Sequence, residues 1–320
     1  MLISSLIVIA GLFLLVVAGN AIVDGGSNIA RYMKVSDMLV GLTIVAFGTS
    51  APELVVNIIS SMDGHSELAM GNVLGSNNFN LFIVLGISGI VAPLIVVRKM
   101  VLRDIPMSLL FTILLLLFGN DFFANGEAES YIGRLDAAIF LICLAVYMFI
   151  LFGDAKKDNA NSVVSQPDMS LLKSILYLIG GLIGLILGGK LVEQGSVDIA
   201  HSLGVSEKVI GLTVVAAGTS LPELVTSIVA CHKGNVEMAI GNIIGSNIMN
   251  ILLILGIGCL ISPMHFNPNF NTEIYVLIAG TIALFIFVSP RFFSPYKLDR
   301  VEASILLSIY IGYTIWTIMG

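Results

Sequence analysis

Charge is scarce in this chain. Asp, Glu, Lys and Arg make up 11% of its 320 residues, less than half of the roughly 25% usual in soluble domains. So few charges cannot solvate the surface of a water-soluble fold, and that class is excluded. The charges present sum to −6, which leaves no basic surface to attract nucleic acid, and no such partner is expected. Three cysteines, Cys143, Cys231 and Cys259, are too few and too scattered for a disulfide framework or a zinc site. Four histidines, His65, His201, His232 and His265, fall in connections between apolar runs, so neither zinc nor copper has a ligand cluster to occupy. Long polar stretches are missing too, with one exception, "GDAKKDNANSVVSQPDMS" at residues 153–170.

What fills the chain instead is apolar, at 57% of residues. A bilayer span needs about 20 mainly apolar residues. Ten such runs can be counted, with cores near 2–20, 38–60, 68–97, 105–120, 135–153, 171–192, 208–230, 236–262, 274–290 and 301–318. The first run lacks a basic leader and a small-residue cleavage site, so it reads as a retained helix. The polar connector divides the runs five and five, giving a first unit at residues 1–153, a connector at 154–170 and a second unit at 171–320. The expected fold is all-α and integral to the lipid bilayer, with ten transmembrane helices. Lysine and arginine collect on the cytoplasmic side of membrane proteins. With the N-terminus outside, twelve of the fifteen fall in cytoplasmic connections, and only Arg134, Lys190 and Lys208 fall outside. Both termini are therefore expected outside, with the central connector in the cytoplasm.

The two units repeat each other. Residues 35–94 align without a gap on residues 205–264, at an offset of 170, with nearly half of the positions identical. "VSDMLVGLTIVAFGTSAPELV" lies over "VSEKVIGLTVVAAGTSLPELV", and "MGNVLGSNNFNLFIVLGI" over "IGNIIGSNIMNILLILGI". Apolar drift would match Leu with Ile; it would not keep Gly, Pro, Glu, Ser and Asn in register. A period of five spans turns the second copy upside down, and such inverted repeats with interrupted helices are the architecture of many secondary transporters.

Within "GTSAPEL" at residues 48–54, Glu53 is embedded in apolar sequence, as is its repeat mate Glu223. A carboxylate at mid-bilayer costs roughly 2.5 to 3.5 kcal/mol on insertion scales and normally faces a polar cavity or a partner. No Lys or Arg lies within a turn of either residue, so the missing partner is read as a cation from outside the chain. Pro52 and Pro222 lack an amide hydrogen, which would leave the carbonyls of Gly48 and Gly218 without their helical donors. A helix break is expected there, with freed carbonyls lining a polar site. Thr49, Ser50, Thr219 and Ser220 add hydroxyls at the same level.

The second repeated element places Ser76 with Asn80, and Ser246 with Asn250, four residues apart on one helical face. Gly71, Gly75, Gly241 and Gly245 read as close-packing positions between helices. Two carboxylates, hydroxyls, amide oxygens and carbonyls form a set of hard oxygen donors. Such a set suits calcium, which takes 6 to 8 oxygens in flexible geometry. Emptied of its cation, the carboxylate pair would repel itself until sodium ions or protons replaced it.

At these residues the sequence resembles the calcium/cation antiporter superfamily, in particular its sodium/calcium exchangers of prokaryotic type. The repeats of that family carry "GTSxPE" and "GSNxxN", here at 48–53, 75–80, 218–223 and 245–250. The resemblance implies a ten-helix inverted-repeat antiporter of the plasma membrane that exchanges sodium for calcium electrogenically, normally extruding calcium, with no cofactor. It further implies that Glu53 and Glu223 share the calcium with the Thr49 and Thr219 carbonyls. Ala46, Ser50, Ser76, Asn80, Ala216, Ser220, Ser246 and Asn250 would then form the sodium sites. Asn57 stands where the second repeat has Ser227, a departure from the pattern. Some relatives have Asp in place of Asn250, an Asp associated with potassium coupling, and Asn here points to potassium independence. The calcium/proton exchangers of the superfamily, the alternative within it, carry a "GNxxE" pattern at the first element that is not seen here.

Two other classes use similar groups. A cation channel usually gathers its acids around an oligomeric axis, whereas one copy of this chain supplies both halves of a site and is expected to act as a monomer. An intramembrane enzyme needs a nucleophile or metal pair, and no histidine is near either acid in the sequence. The charge asymmetry generates a direct test. A cysteine introduced at Ser165 is expected to react with a membrane-impermeant reagent only after the cells are permeabilised, and labelling of intact cells would reverse the assigned orientation.

Overall fold

The computed structural model describes residues 1–120, 130–158, 166–203, 216–289 and 296–319. Helix dominates, as the apolar runs require: a backbone in lipid must satisfy its own hydrogen bonds, which a helix does within one segment. In chain order the helices are α1 (Leu2–Met33), α2 (Asp37–Thr49), α3 (Ala51–Met62), α4 (Ser66–Val91), α5 (Met100–Gly119) and α6 (Arg134–Asp158). They continue with α7 (Leu171–Ser202), α8 (Ala216–Thr219), α9 (Leu221–His232), α10 (Val236–Ile261), α11 (Asn271–Val288) and α12 (Arg300–Met319). Among the described residues seven helices are long and apolar enough to cross a membrane, or eight when the bent pair of α2 and α3 counts as one broken span. α4 and α10 are the most enclosed of these, and both carry the "GSNxxN" element.

Several boundaries differ from those expected. α1 and α7 each run 32 residues, about 48 Å at 1.5 Å per residue, well beyond the expected cores at 2–20 and 171–192. His201 and His232 lie in helices and not in connections, and α6 continues to Asp158, into the polar connector. Lys34 ends α1 in the left-handed region at φ 56°, its amide bonding back to Ala30 and Arg31. Ser36 and Ser170 cap α2 and α7 by accepting the amides of Leu39 and Lys173. The fold is also not purely α. Two short antiparallel ladders close its ends: β1 (Leu94–Ile95) pairs with β4 (Lys297–Leu298), and β2 (Tyr131–Ile132) with β3 (Met264–His265). Each ladder joins one strand from before the connector to one from after it.

Glycine sets how closely the helices approach. α1 and α7 pack along their length through Gly11, Gly25, Gly181, Gly188 and Gly195; a β-carbon on Gly25 would stand 2.8 Å from the Ser174 carbonyl oxygen. α2 crosses α10 in the same way. A β-carbon on Gly41 would meet the Met238 carbonyl at 2.6 Å, one on Gly241 the Met38 carbonyl at 2.6 Å, and one on Gly245 the Leu42 carbonyl at 2.7 Å. Gly241 and Gly245 therefore do what their sequence suggests. Gly75 does not among the described residues: it has open space within 4 Å, and Gly71 meets only the Phe270 ring, at 3.7 Å. The repeat counterpart of the α2 segment that crosses Gly241 and Gly245 is residues 208–212, outside the described residues.

The crossing predicts a contrast between two glycines. Gly41→Ala drives a methyl into main-chain atoms that cannot rotate away, and thermal unfolding in detergent should show a loss of about 1 to 3 kcal/mol. Gly180→Ala, on α7 with nothing within 4 Å, should be neutral or stabilising by up to about 1 kcal/mol.

Candidate functional site

The two Glu-bearing segments have the same local form. α2 ends at Thr49, Ser50 leaves the helical region at φ −83° and ψ 8°, and α3 starts at Ala51 with a bend of 46°. α8 ends at Thr219, Ser220 takes φ −94° and ψ 4°, and α9 starts at Leu221. The break thus falls before the proline. Pro52 and Pro222 occupy the first turn of the new helix, where an amide hydrogen has no intrahelical acceptor. Carbonyls that lose their helical donors belong to the last turns of α2 and α8, where Ala46, Thr49, Ala216 and Thr219 lie, although Ala46 keeps a donor in the Ser50 amide.

Glu53 and Glu223 are completely buried, and no salt bridge reaches either among the described residues. Each carboxylate is held crosswise by hydroxyls from both halves. Ser50 donates to Glu223 Oε1 at 2.9 Å and Ser246 donates to the same oxygen at 3.3 Å. Ser220 and Ser76 each donate to Glu53 Oε1 at 3.4 Å. The second oxygen, Oε2, of each glutamate has no hydrogen-bond partner. Every one of these bonds has its counterpart at the 170-residue offset.

The amides form a second pair of layers. Asn77 and Asn247 donate reciprocally to each other's main-chain carbonyls at 3.3 and 3.2 Å, and Asn250 donates to Asn77 Oδ1 at 3.0 Å. The side-chain oxygens of Asn80 and Asn250 are buried without a partner, as are Asn80 Nδ2 and the Asn247 oxygen. Asn80 and Asn250 open π-helical turns, Asn80–Val84 and Asn250–Leu255, and a further π turn at Gly41–Val45 precedes Ala46. Such turns widen the helix and are frequent at functional sites; nothing in the sequence pattern announces them. Thr49 Oγ1 donates to Asn242 Oδ1 at 3.0 Å, and Thr219 Oγ1 to Asn72 Oδ1 at 3.5 Å. Asn72 and Asn242, from the "GN" of the second element, are thus site residues that reasoning from the "GSNxxN" spacing did not single out.

The structure therefore gathers these residues into two matching hydrogen-bonded groups, Glu53 with Ser220 and Ser76, and Glu223 with Ser50 and Ser246. Thr49 joins the Glu223 group through Ser246 Oγ at 3.4 Å, and Asn250 bonds to Asn77 among the amides. The Ala46 carbonyl is engaged, accepting the Ser50 amide at 3.0 Å and the Thr49 hydroxyl at 3.3 Å. No group of three or more His, Cys, Asp or Glu that could hold a metal occurs among the described residues, so the donors are two acids amid hydroxyls and amides.

A multi-pass helical protein with paired acids buried among neutral oxygen donors belongs with the proteins that handle cations inside a bilayer. The chain is a member of the sodium/calcium exchanger family: the family described as "Sodium/calcium exchanger protein" matches it over residues 3–153 and 173–319. Sodium/calcium exchanger MaX1 of Methanosarcina acetivorans is 31% identical, with 97% of each chain covered. The membrane protein MJ0091 of Methanocaldococcus jannaschii is 35% identical over 94% of this chain and 93% of its own length. Among solved structures, the sodium-calcium exchanger NCX_Mj soaked with sodium and strontium superposes with a TM-score of 0.81 at 31% identity, covering 97% of both chains.

The crossed hydroxyl bonds predict that the two acids act as one unit. Glu53→Gln and Glu223→Gln, both close to isosteric, should each weaken equilibrium calcium binding to the purified protein by about a hundredfold or more, because a buried divalent ion is left half neutralised. Loss from one substitution with normal binding in the other would separate the acids into independent sites.

Proposed function

We propose that this protein is a secondary antiporter that carries sodium and calcium in opposite directions through a single site shared by its two halves. One observation carries the reading: each fully buried glutamate accepts a hydroxyl from the opposite half, Ser50 to Glu223 and Ser220 to Glu53, while its outer oxygen stays unpartnered. Two carboxylates neutralise one calcium ion, and neutral hydroxyl, carbonyl and amide oxygens suit sodium. In this reading Glu53 and Glu223 bind calcium with the Thr49 and Thr219 carbonyls. Ala46, Ser50, Ser76, Asn80 and their mates Ala216, Ser220, Ser246 and Asn250 hold sodium.

The ten-span inverted architecture belongs to the same proposal. α2 with α3 and α8 with α9 form the two broken spans, and α12 is the tenth span. The matched lengths of α1 and α7, 32 residues each, and of α4 and α10, 26 residues each, support it. Residues 1–153 and 171–320 are then the two repeats, and 154–170 the cytoplasmic connector. Both termini face outward, and the monomer works in a prokaryotic plasma membrane without a cofactor. An emptied acid pair resists reorientation until it is refilled, which couples the two fluxes.

The test is isotopic calcium uptake into proteoliposomes loaded with sodium. Uptake is expected to require the outward sodium gradient, to ignore potassium, and to reverse when the gradient is reversed. It should fall as the medium is acidified, because protonation of either glutamate removes a ligand charge. Calcium entry that persists without a sodium gradient marks an uncoupled channel and overturns the antiporter.

A further inference from the structure

Behind the site, a chain of buried hydrogen bonds reaches it from the second half. Ser227 lies on α9, one turn beyond Glu223, and its hydroxyl oxygen accepts Asn242 Nδ2 at 3.2 Å. Asn242 Oδ1 in turn accepts the Thr49 hydroxyl at 3.0 Å. Ser227, Asn242 and Thr49 are each 0% exposed, so bulk water does not compete for these bonds. The Thr49 hydroxyl has a single hydrogen and, besides the Asn242 oxygen, two more distant acceptors within reach, the Ala46 carbonyl at 3.3 Å and the Ser246 hydroxyl oxygen at 3.4 Å. That carbonyl already accepts the Ser50 amide at 3.0 Å, and a carbonyl oxygen has two lone pairs. If Thr49 spends its hydrogen on Ala46, no lone pair remains for an ion. If it spends the hydrogen on Asn242, one lone pair is released.

The first half is built differently. Asn57 stands in place of Ser227 and donates its amide to the Ala69 carbonyl at 3.0 Å. Asn72, the counterpart of Asn242, keeps a buried Nδ2 without a partner, and its oxygen meets Thr219 only at 3.5 Å. The repeat is therefore broken at the one position that anchors the amide.

We infer that Ser227 and Asn242 are positioning residues for the sodium site at Ala46: anchored by Ser227, the Asn242 oxygen draws the Thr49 hydrogen away and leaves the Ala46 carbonyl a free lone pair for sodium. The inference rests on the exchanger reading and deepens it by assigning sodium affinity to a side chain that touches no ion. Calcium depends on the two carboxylates and is affected far less. Removing the anchor lets the Asn242 amide turn or withdraw, so that the Thr49 hydrogen turns to the nearer of its remaining acceptors, the Ala46 carbonyl at 3.3 Å against the Ser246 oxygen at 3.4 Å.

The experiment measures sodium and calcium activation separately in proteoliposomes of the wild-type protein and of Ser227→Thr, Ser227→Cys, Ser227→Ala, Thr49→Val and the Ser227→Ala/Thr49→Val double variant. In Ser227→Ala the sodium concentration for half-maximal exchange should rise about tenfold, the order expected for an orphaned buried donor, while half-saturation by calcium moves less than about twofold. Ser227→Thr retains the hydroxyl and should match the wild type, with Ser227→Cys, a weak acceptor, in between; this graded series answers the question even if Ser227→Ala fails to fold. Thr49→Val has no hydrogen to give Ala46, so adding Ser227→Ala to it should cost no further sodium affinity. Equal shifts for both ions, an undiminished Ser227→Ala effect in the Thr49→Val background, or unchanged sodium activation through the whole series would overturn the inference while leaving the exchanger standing. Wild-type vesicles without sodium-coupled calcium flux would overturn the exchanger reading and the inference with it.

Discussion

Two carboxylates are buried in this protein without a cation beside them among the described residues, and much of the structure around them answers to that constraint. The contrast with a third buried acid is instructive. Asp104, also fully buried, receives two bonds from the Arg103 guanidinium at 2.7 and 3.1 Å and one from the Tyr147 hydroxyl at 3.1 Å. There the chain supplies both charge and counter-charge. Glu53 and Glu223 receive only neutral hydroxyls, each on one oxygen, with the other oxygen left bare. Desolvating an ion costs several kcal/mol, so the acid pair becomes electrostatically comfortable only when a positive charge arrives.

The helix interruptions follow from the same need. A continuous helix consumes its own carbonyls, whereas the breaks at Ser50 and Ser220 end two helices within a few residues of the acids, and a helix C-terminus carries partial negative charge that favours a cation. The prolines then cost nothing, because each sits in a first turn that has no use for its amide. Gly41, Gly241 and Gly245 bring α2 against α10 at backbone distance, which is what carries the Thr49 hydroxyl to Asn242 and Ser246 across nearly 200 residues of sequence.

Near-symmetry and its violation have separate consequences. Equivalent residues in the two halves make equivalent bonds around the acids, so each half completes the site of the other. Where the halves differ, at Asn57 against Ser227, the difference falls one turn behind the ligand layer, in the buried hydrogen bonds that orient it. In the proposed reading, changes there would adjust a neutral oxygen site without touching the shared charges, and selectivity could vary separately from coupling.

Membrane class, the sequence repeat and the acid, hydroxyl and amide residues of the motifs were legible in the chain itself, for a physical reason. In lipid each unpaired polar group is expensive, so a Glu or Asn kept twice in register amid Leu and Ile is informative without knowledge of its neighbours. What could not be read there is anything decided by approach between distant segments. The crosswise assignment of Ser50 to Glu223 and Ser220 to Glu53 depends on how α2 and α8 cross their partners. The roles of Asn72 and Asn242 depend on a Thr in the other half, and the π turns at Asn80 and Asn250 on how their helices are packed. The lengths of α1 and α7, and the four two-residue strands that make the fold less than wholly α, also escaped the hydropathy pattern. It registers how apolar a segment is, whereas helix ends and two-residue ladders are set by capping bonds and by chain segments meeting at the rim, where no single stretch of sequence carries the signal.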